Sequence, residues 1–195
     1  MISDYKNIII VRKDRNSSYI NQIQQDIFNK NEKEDFNKLS RFNNGVNDLF
    51  FAKKVILVEG LSDSIVLQLF SEYNKVDLDM LNVSITNCEG KCLIRNFQRI
   101  LNEFHINYAA VFDDDMDGKH DKAEENNNEI IKLCKDNKYW YFSPNLETEM
   151  EITRKSNKDK PFTAYTFFKD GKKFNKLKDE PKNKLNEIMD WIKNT

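Results

Sequence analysis

Two apolar runs that each end in carboxylates constrain the fold of this chain more than any other feature. Residues 108–112 are apolar and lead directly into Asp113-Asp114-Asp115-Met116-Asp117-Gly118, and residues 54–58 lead into Glu59. Short apolar runs of this length, followed by turn residues, are typical of strands buried on both faces. Because the carboxyl ends of parallel strands meet at one edge of an open α/β sheet, we expect these carboxylates to share one site.

Segments with helical periodicity separate the apolar runs. We predict strands at residues 54–58, 81–85, 108–112 and 139–142, and helices at about 62–73, 92–104 and 123–135. Strands that alternate with helices predict an α/β fold with a mostly parallel sheet covered by helices. This core is expected at roughly residues 53–150.

The two ends of the chain flank this core. Residues 5–13 are predicted to form a short strand, and residues 19–52 form polar-rich helical segments interrupted near Asn43-Asn44-Gly45. After the core we expect an aromatic segment to Phe168, a turn at Asp170-Gly171 and a helix over about 181–193. We therefore predict an N-terminal helical flank and a C-terminal helical extension.

Charge is distributed unevenly along a chain whose formal net charge is only -1. Residues 111–151 contain twelve Asp or Glu against five Lys, a balance of -7, and residues 154–184 contain eleven Lys or Arg against four acids, a balance of +7. An acidic centre beside a basic stretch suits a polyanionic substrate held over bound cations. The lysine run 169–178 fits either DNA contact or a solvated face.

Cysteine usage and hydropathy indicate where the protein resides. Cys88, Cys92 and Cys134 are odd in number and lack metal-finger spacing, so we interpret them as reduced thiols. The chain has no apolar stretch of signal or membrane length. We expect a cytoplasmic protein without a membrane partner.

The acidic residues favour a divalent metal centre. Glu59 and Asp63 follow one predicted strand, and Asp113, Asp115 and Asp117 follow another. Carboxylates within a few ångströms of one another repel, so a cation must compensate them or some must be protonated. Ligands that are all oxygen favour Mg²⁺ or Mn²⁺. Taken alone, Glu59 fits equally well as a cap of the following helix.

The same loop also matches a calcium-binding pattern. Asp113-x-Asp115-x-Asp117-Gly118 with Glu124 satisfies an EF-hand loop, which leaves a calcium sensor as an alternative. Entry from a strand-like run and His120 at the eighth loop position oppose this reading. The segment Asn87–Lys91 lacks the first glycine and the Ser or Thr of a phosphate loop, so no nucleotide cofactor is expected.

The acidic motifs resemble those of a known domain. Glu59-Gly60-x-x-Asp63 and Asp113-x-Asp115-x-Asp117-Gly118, each after an apolar strand, resemble the Toprim domain of topoisomerases, primases and several nucleases. The entry Leu49–Gly60, the pair Gly90-Lys91 opening a helix, and Asn145–Glu149 are similar to OLD-family (overcoming lysogenization defect) nucleases. The resemblance covers about residues 47–165 and implies a Toprim-like, Rossmann-like fold.

The resemblance also implies roles for the acidic side chains. Glu59 would be a metal ligand or an acid/base, and Asp63 would bind a second metal. Asp113 and Asp115 would be ligands of the shared centre, with Asp117 a weaker candidate.

Residues beyond the acidic loop would complete the site. Glu147, after the fourth strand, matches a further metal-binding glutamate of the family. A lysine is expected to stabilise charge on the scissile phosphate. Lys160 is the first choice for this catalytic role and Lys158 the second.

The function implied is that of a metal-dependent DNA endonuclease with a two-metal Mg²⁺ or Mn²⁺ site. One cation would activate water and the other would stabilise the leaving oxygen. The alternative is a non-catalytic Toprim subunit that binds metal or nucleic acid beside a separate ABC-type ATPase. Family context suggests bacterial or phage defence.

The family's domain order gives a prediction for the rest of the chain. In OLD proteins the Toprim domain follows an ABC-type ATPase, and these 195 residues contain no Walker motif. Residues 1–46 resemble the tail and linker of such an ATPase, and residues 47–195 would be the nuclease domain with its basic, helical extension. Both a monomer and a homo-oligomer are compatible with the sequence.

Overall fold

A four-stranded parallel sheet forms the centre of the protein, seen in a computed structural model. The structure describes residues 5–13, 17–34, 48–118, 121–135, 138–153 and 159–194. The strands of this sheet are β3 (Lys54–Val58), β4 (Val83–Asn87), β5 (Asn107–Asp113) and β6 (Lys138–Phe142). Their order is β4-β3-β5-β6, and each neighbouring pair is parallel.

Helices follow the strands and cover both faces of the sheet. They are α1 (Leu61–Tyr73), α2 (Lys91–Glu103), α3 (Ala123–Cys134), α4 (Leu146–Glu149), α5 (Lys160–Phe168) and α6 (Asp179–Lys193). Short 3-10 turns lie at Tyr5–Asn7, Asp48–Phe50 and Phe174–Lys176. The predicted α/β class, with a parallel sheet between helices, is confirmed.

Alternation along β3 supplies the two halves of the core. Val55 and Leu57 pack into a cluster with α2 and α3, and Ile56 and Val58 pack into a cluster with α1, α5 and α6. All five residues of β3 are buried, as expected for a central strand of a doubly covered sheet. The continuous apolar run in the sequence is therefore explained by burial on both faces.

The N-terminal flank differs from the prediction. The predicted helical segments begin at residue 19, but residues 18–21 form a strand. This strand is β2 (Ser18–Asn21), and it pairs antiparallel with β1 (Ile10–Lys13). Tyr19 and Ile20 favour extended backbone, and the side chain of Asn21 donates to the carbonyl oxygen of Phe104 at 3.1 Å. Residues 30–34 are helical as predicted, while the expected interruption at residues 43–45 lies outside the described residues.

The flank is attached to the sheet domain through the core. Tyr5, Ile10, Ile23 and Phe28 are buried in the same cluster as Val55 and the apolar side of α2. The hydroxyl of Tyr5 accepts the backbone N–H of Ile27 at 3.2 Å. Residues 5–13 and 17–34 thus add buried area to the sheet domain, and the predicted boundary at residues 46–47 falls outside the described residues.

The C-terminal extension is helical, as expected, and it is anchored by a buried lysine. Lys54, at the start of β3, donates to the carbonyl oxygens of Trp191 at 2.5 Å and Asn194 at 2.6 Å. These carbonyls end α6 and have no partner within the helix. The aromatic segment before residue 168 is α5. Within the described parts of the chain, no helix has the length and apolarity to cross a bilayer.

Candidate active site

Four carboxylates that are at least partly buried line one cavity at the carboxyl edge of the sheet, together with the exposed Glu89. Glu59 follows β3, Asp63 lies in the first turn of α1, Asp113 ends β5, and Glu147 lies in α4. The cavity has a volume of about 400 Å³. Because β3 and β5 are paired in parallel, with Val58 opposite Val111, their carboxyl ends lie side by side. The topology therefore brings together the two acidic segments that the sequence places 54 residues apart.

Backbone N–H groups orient three of these carboxylates. Glu59 Oε2 accepts the N–H of Asp113 at 3.2 Å, which ties the end of β3 to the end of β5. Asp113 Oδ1 accepts the N–H of Leu146 at 2.8 Å, and Asp63 Oδ2 accepts the N–H of Gly60 at 2.8 Å. Each of these bonds engages one carboxylate oxygen. The acidic side chains are thus held by the backbone that surrounds them.

Burial and mutual repulsion disfavour the charged form of the carboxylates in the cavity. Burial, followed by the charge of Asp113, raises the pKa of Asp63 well above its ordinary value. Burial, with further contributions from Glu59, Glu147 and Asp115, raises the pKa of Asp113 to about 7. Burial also raises the pKa of Glu59, although the charge of Lys91 opposes this effect. The carboxylates therefore need either protons or a compensating cation.

Lys91 lies near the acidic cavity, and its sequence position predicted no functional role for it. Its ammonium group lies 2.6 Å from Asp115 Oδ2, and its side chain is buried. Lys91 is the first residue of α2 and follows Gly90, whose φ of 124° is in the region that favours glycine. The signal in the sequence was the pair Gly90-Lys91 at the predicted start of a helix. Lys91 supplies one positive charge beside the acidic cavity.

The other residues of the acidic loop are placed differently. Asp115 pairs with Lys91 and does not line the cavity, although its charge raises the pKa of Glu59. Asp117 is exposed and also lies away from the cavity lining. The side chain of Asp114 accepts the N–H of Met116 at 3.0 Å and is buried. The loop is entered from a strand of a parallel sheet, in contrast to the helix that precedes an EF-hand loop.

Lys160 is next to the carboxylates, at the beginning of α5. It lines the cavity with Pro161, and its ammonium group is 3.9 Å from Glu147 Oε1. Glu147 is buried, whereas the side chain of Lys160 is 40% exposed. The structure thus brings Lys160 to the acidic site, as the choice of a catalytic lysine requires. Lys158 lies outside the described residues.

The donor chemistry of the cavity fits a hard divalent cation, because all four side chains offer carboxylate oxygens. Among the residues that the structure describes, no three Asp, Glu, His or Cys side chains converge closely enough to hold an ion as they stand. The residues suit the cation by ligand type and by the unfavourable charge that they place on one another, while their present arrangement does not yet form a coordination shell. The ligand assignments for Glu59, Asp63, Asp113, Asp115, Asp117 and Glu147 stay predictions.

Comparison with known proteins identifies the same region. Residues 50–115 match the family model described as overcoming lysogenization defect protein-like, TOPRIM domain. The OLD nuclease of Thermus scotoductus (strain ATCC 700910 / SA-01) is 27% identical over 181 residues, which cover 83% of this chain and 34% of that protein. This chain thus spans about a third of the length of that curated relative.

Two solved structures show limited similarity. The C-terminal region of the Burkholderia pseudomallei OLD protein has a TM-score of 0.45 and 17% identity, covering 71% of this chain and 82% of that chain. The C-terminal region of the Xanthomonas campestris pv. campestris OLD protein has a TM-score of 0.40 and 21% identity, covering 75% of this chain and 80% of that chain. The family match over residues 50–115 and the OLD nuclease relative confirm the resemblance to the OLD-type Toprim domain.

Proposed function

We propose that this chain is a divalent-metal-dependent DNA endonuclease domain that uses Mg²⁺ or Mn²⁺ at a two-metal site. The observation that carries the proposal is the single cavity lined by Glu59, Asp63, Asp113, Glu147 and Lys160. Toprim domains generally bind divalent metals. Phosphodiester hydrolysis requires compensation of developing negative charge, and this cavity concentrates ligands for the cations that provide it.

The side chains divide the work of the reaction between them. Bound cations would neutralise charge on the phosphodiester and lower the pKa of water. Asp63, Asp113 and Glu147 would hold these cations, and Glu59 would either hold a cation or act as the acid/base that takes the proton from the attacking water. Asp115 and Asp117 extend the negative field from the same loop, with Asp115 fixed by Lys91.

Lys160 supports charge stabilisation at the phosphate. Its ammonium group lies beside Glu147 in the cavity, and its side chain is partly exposed to solvent. A partly exposed lysine at the rim of an acidic site can move toward a phosphate oxygen, and a bound cation would then compensate the buried Glu147. Lys160 would thus bind the scissile phosphate, while the buried Lys91 keeps its partner Asp115.

The proposal is tested by incubation of supercoiled plasmid with the purified chain and Mg²⁺ or Mn²⁺. The parent is expected to nick or linearise the plasmid, and Asp113→Asn is expected to reduce the rate by at least roughly 100-fold, a loss typical of disabled catalytic groups. Asp114→Asn is the matched control, because its side chain lies outside the cavity and keeps an acceptor for the N–H of Met116. Equal cleavage by the parent and Asp113→Asn would contradict the proposal.

A second candidate is a non-catalytic subunit that acts with a separate ABC-type ATPase. It is favoured by exposed apolar side chains on and beside the β1-β2 hairpin, namely Ile9, Val11, Tyr19 and Ile20. Exposed apolar surface of this kind often marks a protein interface. This candidate predicts co-purification with such an ATPase, and no cleavage by the pair. A role in bacterial or phage defence follows the family context under either candidate.

A further inference from the structure

Helix α5 carries a row of exposed aromatic side chains that leads away from the acidic cavity. Its first residues, Lys160 and Pro161, line the cavity. Phe162 is 71% exposed and Tyr165 is 47% exposed. These two residues are three positions apart, so their rings project from the same face of the helix, about 4.5 Å apart along its axis. The row, which we call the aromatic track, comprises Phe162 and Tyr165.

The aromatic track is not part of the hydrophobic core. A neighbouring face of α5 packs against α1 through Ala164 and Phe168, both of which are buried. Phe168 also stacks on Phe174 with ring centroids 4.2 Å apart. Helix α5 therefore already has an apolar face that fixes it to the domain. Two further large rings left in solvent on a short helix indicate a binding surface.

Basic side chains continue the aromatic track. Lys169 lies one turn beyond Tyr165 on the same face and is exposed, and Lys172, Lys173 and Lys176 are exposed in the segment that follows. Residues 154–184 have a charge balance of +7. The charge complementarity therefore favours a polyanionic occupant. Exposed aromatic rings next to lysines are the combination that binds single-stranded nucleic acid, because bases stack on the rings while the cations contact the phosphates.

We propose that the aromatic track stacks unpaired bases next to the scissile phosphate, so that the preferred substrate is single-stranded or locally unpaired DNA. The proposal rests on the proposed nuclease function for its relation to the scissile bond, but the binding itself is independent of cleavage. An intact duplex hides the faces of its bases within the helix and offers the rings little to stack on. The aromatic track would therefore discriminate between DNA structures while remaining indifferent to sequence.

Binding is measured without cleavage by fluorescence anisotropy of labelled oligonucleotides in the presence of EDTA. The double variant Phe162→Ala/Tyr165→Ala is expected to lose roughly 5- to 150-fold in affinity for a single strand for each ring removed. Its affinity for a duplex of the same sequence should change little. The matched control is Tyr139→Ala/Tyr141→Ala on β6, whose rings are 40% and 42% exposed. The control removes a similar pair of exposed rings and should bind like the parent.

A third variant reports stacking directly. Phe162→Trp keeps a flat ring at the same position, so it should retain single-strand affinity and show indole fluorescence quenching beyond that of the parent when DNA binds. Parent-like single-strand binding by the double alanine variant would overturn the proposal, as would an equal loss for duplex. Self-association of the parent that the double alanine variant abolishes, with DNA binding unchanged, would assign the rings to an interface between copies and overturn it too.

The two proposals fail separately. If the parent does not cut plasmid but its single-strand binding depends on Phe162 and Tyr165, the aromatic track stands and hydrolysis by this chain is rejected. If the parent cuts DNA and the double alanine variant binds and cuts single strands equally well, the nuclease proposal stands and the track is rejected.

Discussion

Neutralising Asp113 is expected to stabilise the cation-free protein while removing its response to metal. Asp113 lies among Glu59, Asp63 and Glu147 in the acidic cavity. In Asp113→Asn the amide oxygen can still accept the N–H of Leu146, which the carboxylate accepts at 2.8 Å. The substitution therefore removes a charge from the cluster and leaves the geometry of the β5 end in place.

The pKa of Asp113 sets the size and sign of the effect. Because burial and neighbouring carboxylates raise this pKa from 3.8 to about 7, the folded protein keeps a proton that the unfolded chain releases. The stability that goes with this proton is complete below the unfolded-state pKa of 3.8 and is lost as the pH rises through about 7. A rise of this size corresponds to at most about 4 kcal/mol. Since the side chain is partly solvated, we expect about 1–3 kcal/mol.

Thermal unfolding in EDTA measures this difference. At pH 8 we expect Asp113→Asn to unfold roughly 2–12 °C above the parent, given about 2–4 °C for each kcal/mol in a chain of this size. This difference in unfolding temperature should disappear as the pH falls toward about 4, because Asp113 of the parent is then protonated and uncharged, like the asparagine of the variant. Asp114→Asn, which changes the adjacent side chain outside the cavity, should show no such pH-dependent gap.

Addition of Mn²⁺ should reverse the order of stability. A cation that binds only the folded parent adds about 4.1 kcal/mol at 1,000 times its dissociation constant, which exceeds the advantage of the variant. Asp113→Asn should gain much less, because the cavity has lost one ligand and one negative charge. If Asp113→Asn were no more stable than the parent at pH 8 in EDTA, repulsion between the carboxylates would not destabilise the cation-free protein. The reasoning that links their charge to metal binding would then be refuted.

Three further substitutions test the lysines and one glycine. Lys91→Met should lower the free energy of unfolding in urea by about 1–3 kcal/mol, because it leaves Asp115 without its partner at 2.6 Å. Adding Asp115→Asn to this variant should recover part of the lost stability. Lys54→Met should lower the free energy of unfolding by about 2–4 kcal/mol, since it removes the donor to the carbonyl oxygens of Trp191 and Asn194 at the end of α6. The control Lys53→Met, on the surface, should change this free energy little. Gly171→Ala should lower the thermal midpoint more than Gly118→Ala. Both glycines have positive φ, but the added Cβ at residue 171 would lie 2.7 Å from the ring of Tyr73, whereas the one at residue 118 meets no atom within 4 Å.

The sheet and its acidic edge could be predicted because their signals are local. The run from Val55 to Val58 is wholly buried, so its composition alone distinguishes it from a surface strand. The parallel order then brings Glu59 and Asp113 to one edge without any knowledge of contacts. The α/β class is confirmed by the structure. The meeting of the two acidic segments is likewise observed, although the ligand roles of individual residues stay predictions.

Other features depend on contacts between distant residues. Strand β2 is extended because it pairs with β1 and because Asn21 bonds to Phe104, 83 residues later. Strand β4 begins at Val83, two residues after its predicted start, because its register is set by pairing of Val83 with Lys54. Lys54 itself looked like an ordinary boundary residue, yet its partner Trp191 is 137 residues away. Patterns within a short window carry no information about such partners.

The two lysines near the acidic cavity differ in exposure and in the distance to their partner carboxylates, and these differences favour a structural role for one and contact with substrate for the other. Lys91 is buried, and its 2.6 Å contact with Asp115 fixes it in one position. Lys160 is 40% exposed and lies 3.9 Å from Glu147, which is an ion pair without a close hydrogen bond. Moving Lys91 toward a substrate would break a hydrogen-bonded ion pair with Asp115, whereas moving Lys160 would break only a longer contact with Glu147, whose charge a bound cation would then compensate. The lysine that can follow a phosphate is therefore the one at the rim, and it begins the helix that carries the aromatic track.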